Sequence, residues 1–309
     1  MLILIKESRK MEKKIILFDS NALIYRSYYA LPRLEKDGIL VNAVYGFLKT
    51  YFQLIGLNQI KYAICIFDAK KKTFRNDLYK EYKAKRIKAP DDLYAQIPIL
   101  KSVLEKLNIP IFIKAGYEAD DIVATFAKKL KDKKFQVIIT TGDKDLYQLI
   151  DENRVVVCDL KNKFNAYYNQ ENFVSDYGFL PKNLVDYKAL AGDASDNISG
   201  VKGIGKVTAK RLICQYQTLE NVYRNIDQIR KENQKVHQKL VDNKEMALLS
   251  KKLVKLRNNL KFSFDLDKSR IDRFDKKIAL EKLKEMGFVS LLKFLPKSSI
   301  KVLTKQSLF

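Results

Sequence analysis

Three short apolar runs in this chain each lead into an acid: Ile-Ile-Leu-Phe-Asp19, Ala-Ile-Cys-Ile-Phe-Asp68, and Val-Ile-Ile-Thr-Thr-Gly ahead of Asp143 and Asp145. Runs rich in Ile, Val and Phe without polar alternation read as buried strands of a parallel sheet, here Ile15–Phe18, Tyr62–Phe67 and Val137–Thr140, with a fourth at Val155–Val157. Helical spacing lies between them, over Val41–Ile55, Leu93–Leu107 and Glu118–Leu130. Strand alternating with helix predicts an α/β domain. Past about Pro181 the texture changes to Gly-rich turns at Gly192, Gly200, Gly203 and Gly205 between short helical patches, with no strand pattern. The expected division is a core over 1–180 and a helical region over 181–309.

In a parallel sheet the carboxyl ends of the strands share one edge, and that edge is where open α/β sheets hold ligands. Asp19, Asp68, Asp143 and Asp145 fall there; Glu118, Asp120 and Asp121 open a helix, and Asp193 and Asp196 lie in the loop Gly-Asp-Ala-Ser-Asp-Asn. Each acid taken singly also fits a turn residue or helix cap. Nine carboxylates converging on one rim repel by several kcal/mol per close pair at protein-like dielectric, so they call for countercharge. With oxygen ligands and neither His nor Cys near, Mg²⁺ or Mn²⁺ suits the set better than zinc. Two such ions bracketing a phosphodiester would supply the nucleophile and stabilise both the attacking and leaving oxygens, the logic of a metal-dependent nuclease.

Charge points the same way. The chain has 309 residues, 59 Lys plus Arg against 36 Asp plus Glu, and a net charge of +23 on a 47% hydrophobic background. Enough apolar residues are present to bury a core, so a disordered basic tail is excluded, and the surplus steers the protein toward polyanions such as nucleic acid. A solvated lysine-rich surface is the plainer alternative. The segment at about 70–90 is densely basic and follows directly on Asp68; if helical, it sets Lys83 and Arg86 on one face, while Tyr79 and Tyr82 offer rings for stacking on bases. Cys65, Cys158 and Cys214 are far apart among apolar neighbours and read as small buried hydrophobes, and His237 on a polar stretch argues against Ser-His or Cys-His catalysis. The apolar start Leu2–Ile5 is too short for a signal peptide or membrane span, so a cytoplasmic protein without membrane attachment is expected, with translation from Met1 or Met11 left open.

Gly200-Val-Lys-Gly-Ile-Gly205-Lys206-Val207 nearly matches a nucleotide-binding P-loop, but Val207 stands where Ser or Thr must hold Mg²⁺, and Thr208 breaks the dinucleotide fingerprint. What survives is a Gly-Ile-Gly turn opening a helix with Lys202, Lys206, Lys210 and Arg211 near it, the helix-hairpin-helix pattern whose backbone N–H groups approach a DNA phosphate without reading sequence.

From about Ile15 to its end the chain resembles the 5′-3′ exonuclease domain at the front of bacterial DNA polymerase I, a member of the flap endonuclease family. The densest matches are Phe67-Asp-Ala-Lys with Phe74-Arg, Tyr82-Lys-x-x-Arg86, Gly116-Tyr-Glu-Ala-Asp-Asp121, Asp143-Lys-Asp-Leu-Tyr-Gln148, and Gly192-Asp-Ala-Ser-Asp-Asn leading to Gly-Val-Lys-Gly-Ile-Gly. The resemblance implies a PIN-like core with a mainly parallel sheet and a helix-three-turn-helix element at about 184–220, followed by a helical extension. Carried over, Asp19, Asp68, Glu118 and Asp120 would hold one metal ion, while Asp121, Asp143, Asp145, Asp193 and Asp196 would make or support a second site, Asp120 serving both. Lys83 and Arg86, in a helical gateway, would contact the scissile phosphate; Arg26 and Arg75 would hold nearby phosphates, and Tyr25 would stack on the base beside the cut. Tyr82, Lys202, Gly203, Gly205 and Lys206 complete the expected DNA contacts, with a potassium ion at the Gly203 to Gly205 turn.

The implied activity is Mg²⁺-dependent cleavage of DNA at 5′ flaps, nicks or 5′ ends in replication and repair, extending to RNA primer ends on DNA. The chain stops at Phe309 and carries all nine acids, so a free-standing, active, monomeric nuclease is expected, working beside a separate polymerase and ligase. Two rivals stay open at this point: a PIN-type ribonuclease, and a non-catalytic junction-binding protein with a vestigial acidic rim.

Overall fold

The central strand of the molecule is the first apolar run. The computed structural model describes residues 13–57, 60–69, 71–152, 154–160 and 166–295. The question of Met1 or Met11, the first gateway residue Lys70, and the end of the expected C-terminal extension lie outside these residues. In chain order the strands are β1 Lys14–Asp19, β2 Glu35–Lys36, β3 Ile39–Leu40, β4 Tyr62–Ile66, β5 Ile111–Phe112, β6 Gln136–Thr141 and β7 Val155–Asp159. Five of them form one parallel sheet in the order β5-β4-β1-β6-β7, and β2 pairs with β3 as a separate antiparallel hairpin.

Alternation within β1 explains its unbroken apolarity. Ile15 and Leu17 enter one core with Ile64, Ile66, Val137 and Ile139, whereas Ile16 and Phe18 enter another with Ala63, Cys65, Ile138 and Val156. Both faces of the sheet are therefore covered, and burying both is what a period-2 strand with apolar residues at every position requires. Helices α1 Ser20–Ala30, α2 Asn42–Leu57 and α4 Asp91–Lys106 supply the second core; α5 Ala119–Asp132 supplies the first. The three helices expected from spacing are α2, α4 and α5.

The second half is helical: α6 Gln170–Tyr177, α7 Leu184–Ala191, α8 Lys206–Tyr216, α9 Leu219–Arg224, α10 Ile226–Glu232, α11 Gln234–Asp242, α12 Lys244–Val254 and α13 Lys276–Glu285. It shares the first core with α5 and the sheet through Leu190, Ile204, Leu212 and Leu240. The segment from α13 onward, by contrast, crosses to the opposite face, where Leu283, Phe288 and Leu291 pack with α2 and α4.

Two expectations are corrected. Residues 74–90 are not one basic helix: α3 spans only Phe74–Leu78, turns follow, and Lys83 has a φ of +57°, a left-handed backbone that breaks any helical face shared with Arg86. Cys214 is exposed, with its Sγ 3.4 Å from the Gly178 carbonyl, while Cys65 and Cys158 are buried. β5 escaped notice because two residues cannot display a period.

Candidate active site

Parallel register brings the acids to one edge. Asp19 lies opposite Ile66 of β4, and Phe18 lies opposite Thr140 of β6, so the strands end level. Asp68 stands two residues beyond β4 and Asp143 two beyond β6. Asp19 caps α1 by accepting the Ala22 N–H at 3.1 Å, and it also accepts the Thr141 hydroxyl at 2.7 Å. Asp68 accepts the Ala119 N–H at 2.7 Å and so ties the end of β4 to the start of α5. Glu118 is the N-cap of α5, and Asp120 lies in its first turn, where the helix dipole favours negative charge.

These side chains open on a cleft of about 890 Å³. Asp19, Asp68, Glu118, Asp120 and Asp143 line it, together with Tyr25, Arg26, Lys83 and Arg86. Nine of the expected site residues are thus brought together. Asn21, Tyr94 and Lys144 line the cleft as well and carried no sequence signal beyond adjacency to the motifs. Tyr25 donates from its hydroxyl to that of Tyr94 at 3.1 Å, which fixes the ring at the cleft wall.

Countercharge divides the nine acids into two sets. Among the described residues Asp19, Asp68, Asp120 and Asp143 make no ion pair. Burial, reinforced by Asp68 and Asp143, outweighs the Thr141 and Ala22 hydrogen bonds and pushes the Asp19 carboxyl up to about 7. Asp120 is likewise held well above the carboxylate range by burial and by its neighbours Asp143 and Asp19. Close carboxylates without a cation shift in this direction because each disfavours the other's charge.

The remaining acids are neutralised from within. Lys83 Nζ lies 3.1 Å from Glu118 and 3.6 Å from Asp196, and these two with Asp120 outweigh burial and hold the lysine pKa above its usual value. The Tyr82 hydroxyl donates to Glu118 at 3.1 Å and to Asp196 at 3.0 Å. Lys188 on α7, which sequence reading missed, joins Asp145 to Asp193. Burial works against the Asp193 charge, but Lys188 and Ser195 overcome it and keep that carboxyl below the usual range.

Three expected roles are corrected here. Arg75 is 1% exposed and Asp121 0%, and they form a two-pronged pair at 2.7 and 2.8 Å. Arg75 also donates to the Leu253 carbonyl, and Asp121 accepts the Arg257 N–H, so the pair fastens the end of α12 to α5. Neither residue lines the cleft, although Arg75 lies 3.5 Å from Glu118 at its edge. Tyr82 is 4% exposed and its ring is packed with Val185 and Leu253, so it stacks on no base.

Farther along, the loop carrying Asp193 and Asp196 is closed by an Asp193–Ile198 bridge and turns at Gly200, where φ is +64° and an added Cβ would lie 2.3 Å from the Gly192 nitrogen. Lys202, Gly203, Gly205 and Lys206 follow as a separate exposed turn, with Gly203 at φ +81° and Gly205 capping α8. Val207 beside them is 85% exposed. The Gly203 carbonyl accepts the Lys239 ammonium at 2.9 Å.

The charged oxygen donors at the cleft are all carboxylates, which suit a hard divalent ion. Among the described residues no three acids, cysteines or histidines stand close enough to form a complete cage. The acids without an ion pair among the described residues line the open cleft, where they would hold a divalent ion.

Comparison with known proteins decides the family. A model of the 5′-3′ exonuclease N-terminal resolvase-like domain matches residues 14–178, and one of the 5′-3′ exonuclease C-terminal SAM fold matches residues 179–277. The chain belongs to the 5′-3′ exonuclease family. It is 37% identical to the 5′-3′ exonuclease of Aquifex aeolicus over 91% of this chain and 94% of that one, and 35% identical to that of Mycoplasma genitalium over 88% and 95%. It is also 37% identical to the DNA polymerase I of Caldicellulosiruptor bescii, of which it spans 34%. Among solved structures, a phage T5 flap endonuclease in a pseudo-enzyme–product complex with DNA and metal ions superposes with a TM-score of 0.67 at 20% identity, covering 79% of this chain and 90% of that one. The catalytic core of Rad2 in complex with DNA substrate gives 0.56 at 18%, covering 89% and 88%. The fold is therefore shared with a phage flap endonuclease and with the Rad2 catalytic core.

Proposed function

We propose that this 5′-3′ exonuclease family member is a Mg²⁺-dependent, structure-specific nuclease that removes nucleotides or flaps from the 5′ side of DNA junctions. It would also trim RNA primer ends on DNA, beside a separate polymerase and ligase in the cytoplasm. The observation that carries this reading is one cleft lined both by Asp19, Asp68, Asp120 and Asp143, which make no ion pair among the described residues, and by Lys83, Arg86, Arg26 and Tyr25. Acids alone would repel a phosphodiester; the flanking cations allow its approach.

Divalent ions held by Asp19, Asp68, Glu118, Asp120 and Asp143 would supply Lewis-acid activation and charge neutralisation at the scissile phosphate. The chain's own residues do the rest. Arg26 and Arg86 hold phosphates on either side, the Tyr25 ring stacks on the terminal base, and the Lys202 to Lys206 turn grips the uncut duplex through backbone N–H groups. Hydrolysis leaves a 5′-phosphate with inversion at phosphorus. The junction-binding rival has the same surfaces and no turnover, so cleavage separates the two. A labelled 5′-flap duplex incubated with the protein and Mg²⁺ should yield short products cut near the junction, abolished by EDTA. Tight binding with no product in Mg²⁺ or Mn²⁺ would overturn the nuclease reading, and preference for single-stranded RNA would favour the ribonuclease.

Lys83 tests the positioning part. Its ammonium rests on Glu118 and Asp196 in the absence of DNA, within reach of the cleft. Since orientation and charge stabilisation act mainly in the transition state, Lys83→Ala should lower the single-turnover rate by about 10²-fold and change the Kd for flap DNA by less than about threefold. Lost binding with an unchanged rate would reassign Lys83 to affinity alone.

A further inference from the structure

The acids on the α7 side of the rim already hold a cation. Lys188 Nζ bonds Oδ1 of Asp145 and, at 2.5 Å, Oδ2 of Asp193, and all three side chains are no more than 15% exposed. The other oxygen of Asp193 is taken as well, by the Ser195 N–H at 2.9 Å and the Ser195 hydroxyl at 2.6 Å. Lys188 is fixed from its own side too: its carbonyl accepts the Gly192 N–H, and α7 packs against α12. The result is an ammonium tethered between two carboxylates that converge from the turn after β6 and from the loop after α7.

A divalent ion held by Asp145 and Asp193 would compete with the ammonium for these carboxylates, and the two cations would repel each other at that range. Asp19, Asp68, Asp120 and Asp143 carry no such tether among the described residues. We propose that Lys188 is a built-in countercharge that keeps a divalent ion off the Asp145–Asp193 pair, so that the free protein loads its first ion on the unpaired acids. Binding of a second ion on the α7 side then requires Lys188 to swing away. This rests on the metal-dependent nuclease reading, and it makes Lys188 a positioning residue for metal loading that touches no reacting atom.

The test is calorimetric titration of the full chain with Mn²⁺ and no DNA, comparing wild type, Lys188→Met and Lys188→Arg. Wild type and the Arg variant should show one tight ion and a weak second phase; Lys188→Met should bind the second ion at least about tenfold more tightly. A folded Lys188→Met protein with the wild-type isotherm overturns the proposal, and so does a wild type that binds two ions with equal affinity. Should Lys188→Met fail to fold, Lys188→Gln, which keeps a hydrogen-bond donor without the charge, carries the same expectation. Flap cleavage by the wild type in Mg²⁺ is run alongside. No cleavage defeats the nuclease reading, whereas cleavage with an unchanged variant isotherm defeats only the role of Lys188.

Discussion

Asp68→Asn should lower metal-dependent cleavage of a 5′-flap duplex by about 10²–10³-fold or more while leaving the fold and DNA affinity nearly intact. The direction follows from what the carboxylate does and does not do in the structure. Its Oδ1 accepts the Ala119 N–H at 2.7 Å, a bond an asparagine carbonyl keeps, and its own backbone N–H is held by Asn21 at 3.1 Å. The side chain is exposed and pairs with no cation among the described residues, so no buried partner is orphaned by the change. What is lost is a negative charge, one that would help hold a divalent ion, in the cleft that Arg26 and Arg86 also line. Charges preorganised where a reaction develops charge are individually worth about 10²–10³ in rate. The check is a single-turnover cleavage assay, with DNA affinity measured in EDTA and a urea unfolding curve on the same preparation. Undiminished cleavage would mean that Asp68 is only the turn residue its position after a strand also allows.

Which parts of this molecule were legible in the sequence follows from how far each signal reaches. β1, β4, β6 and β7 announce themselves because burial on both faces leaves every position apolar, and their acids then fall on one edge for any parallel register. Nothing local reveals that Lys188, forty-three residues from Asp145, will reach it. The same limit hid the fate of Arg75 and Asp121. Both sit inside the stretches by which the chain resembles the exonuclease family, and such a resemblance does not show which of its residues face solvent. Lys83 illustrates a third limit, since the lysine-rich composition of 71–88 suits a helix and the left-handed φ at Lys83 is imposed by tertiary contact: its N–H donates to the Asp196 carbonyl at 3.0 Å. Charge counting called for countercharge to all nine acids, and it could not show that five of them meet lysine or arginine from this chain.

The burial of that arginine has a large expected consequence. Arg75→Met should destabilise the protein by about 3–5 kcal/mol, the usual cost of leaving one member of a buried ion pair without its partner. Asp121 would keep the Arg257 and Glu118 N–H groups but lose both guanidinium bonds in a site with no access to water. The Leu253 carbonyl would lose its donor as well, and an unsatisfied buried acceptor adds to the penalty. Because the pair joins α3, α5 and the end of α12, the loss should appear as a lower urea midpoint for the whole chain. The double variant Arg75→Met with Asp121→Leu removes the stranded charge and should recover part of the loss, so its cost should fall below the sum of the two single changes. A phosphate-binding Arg75 would behave oppositely, with weaker DNA binding, a reduced salt dependence and unchanged stability. The two outcomes separate on stability alone, before any nuclease activity is measured, and a residue drawn from a family motif is thereby assigned to holding the site together.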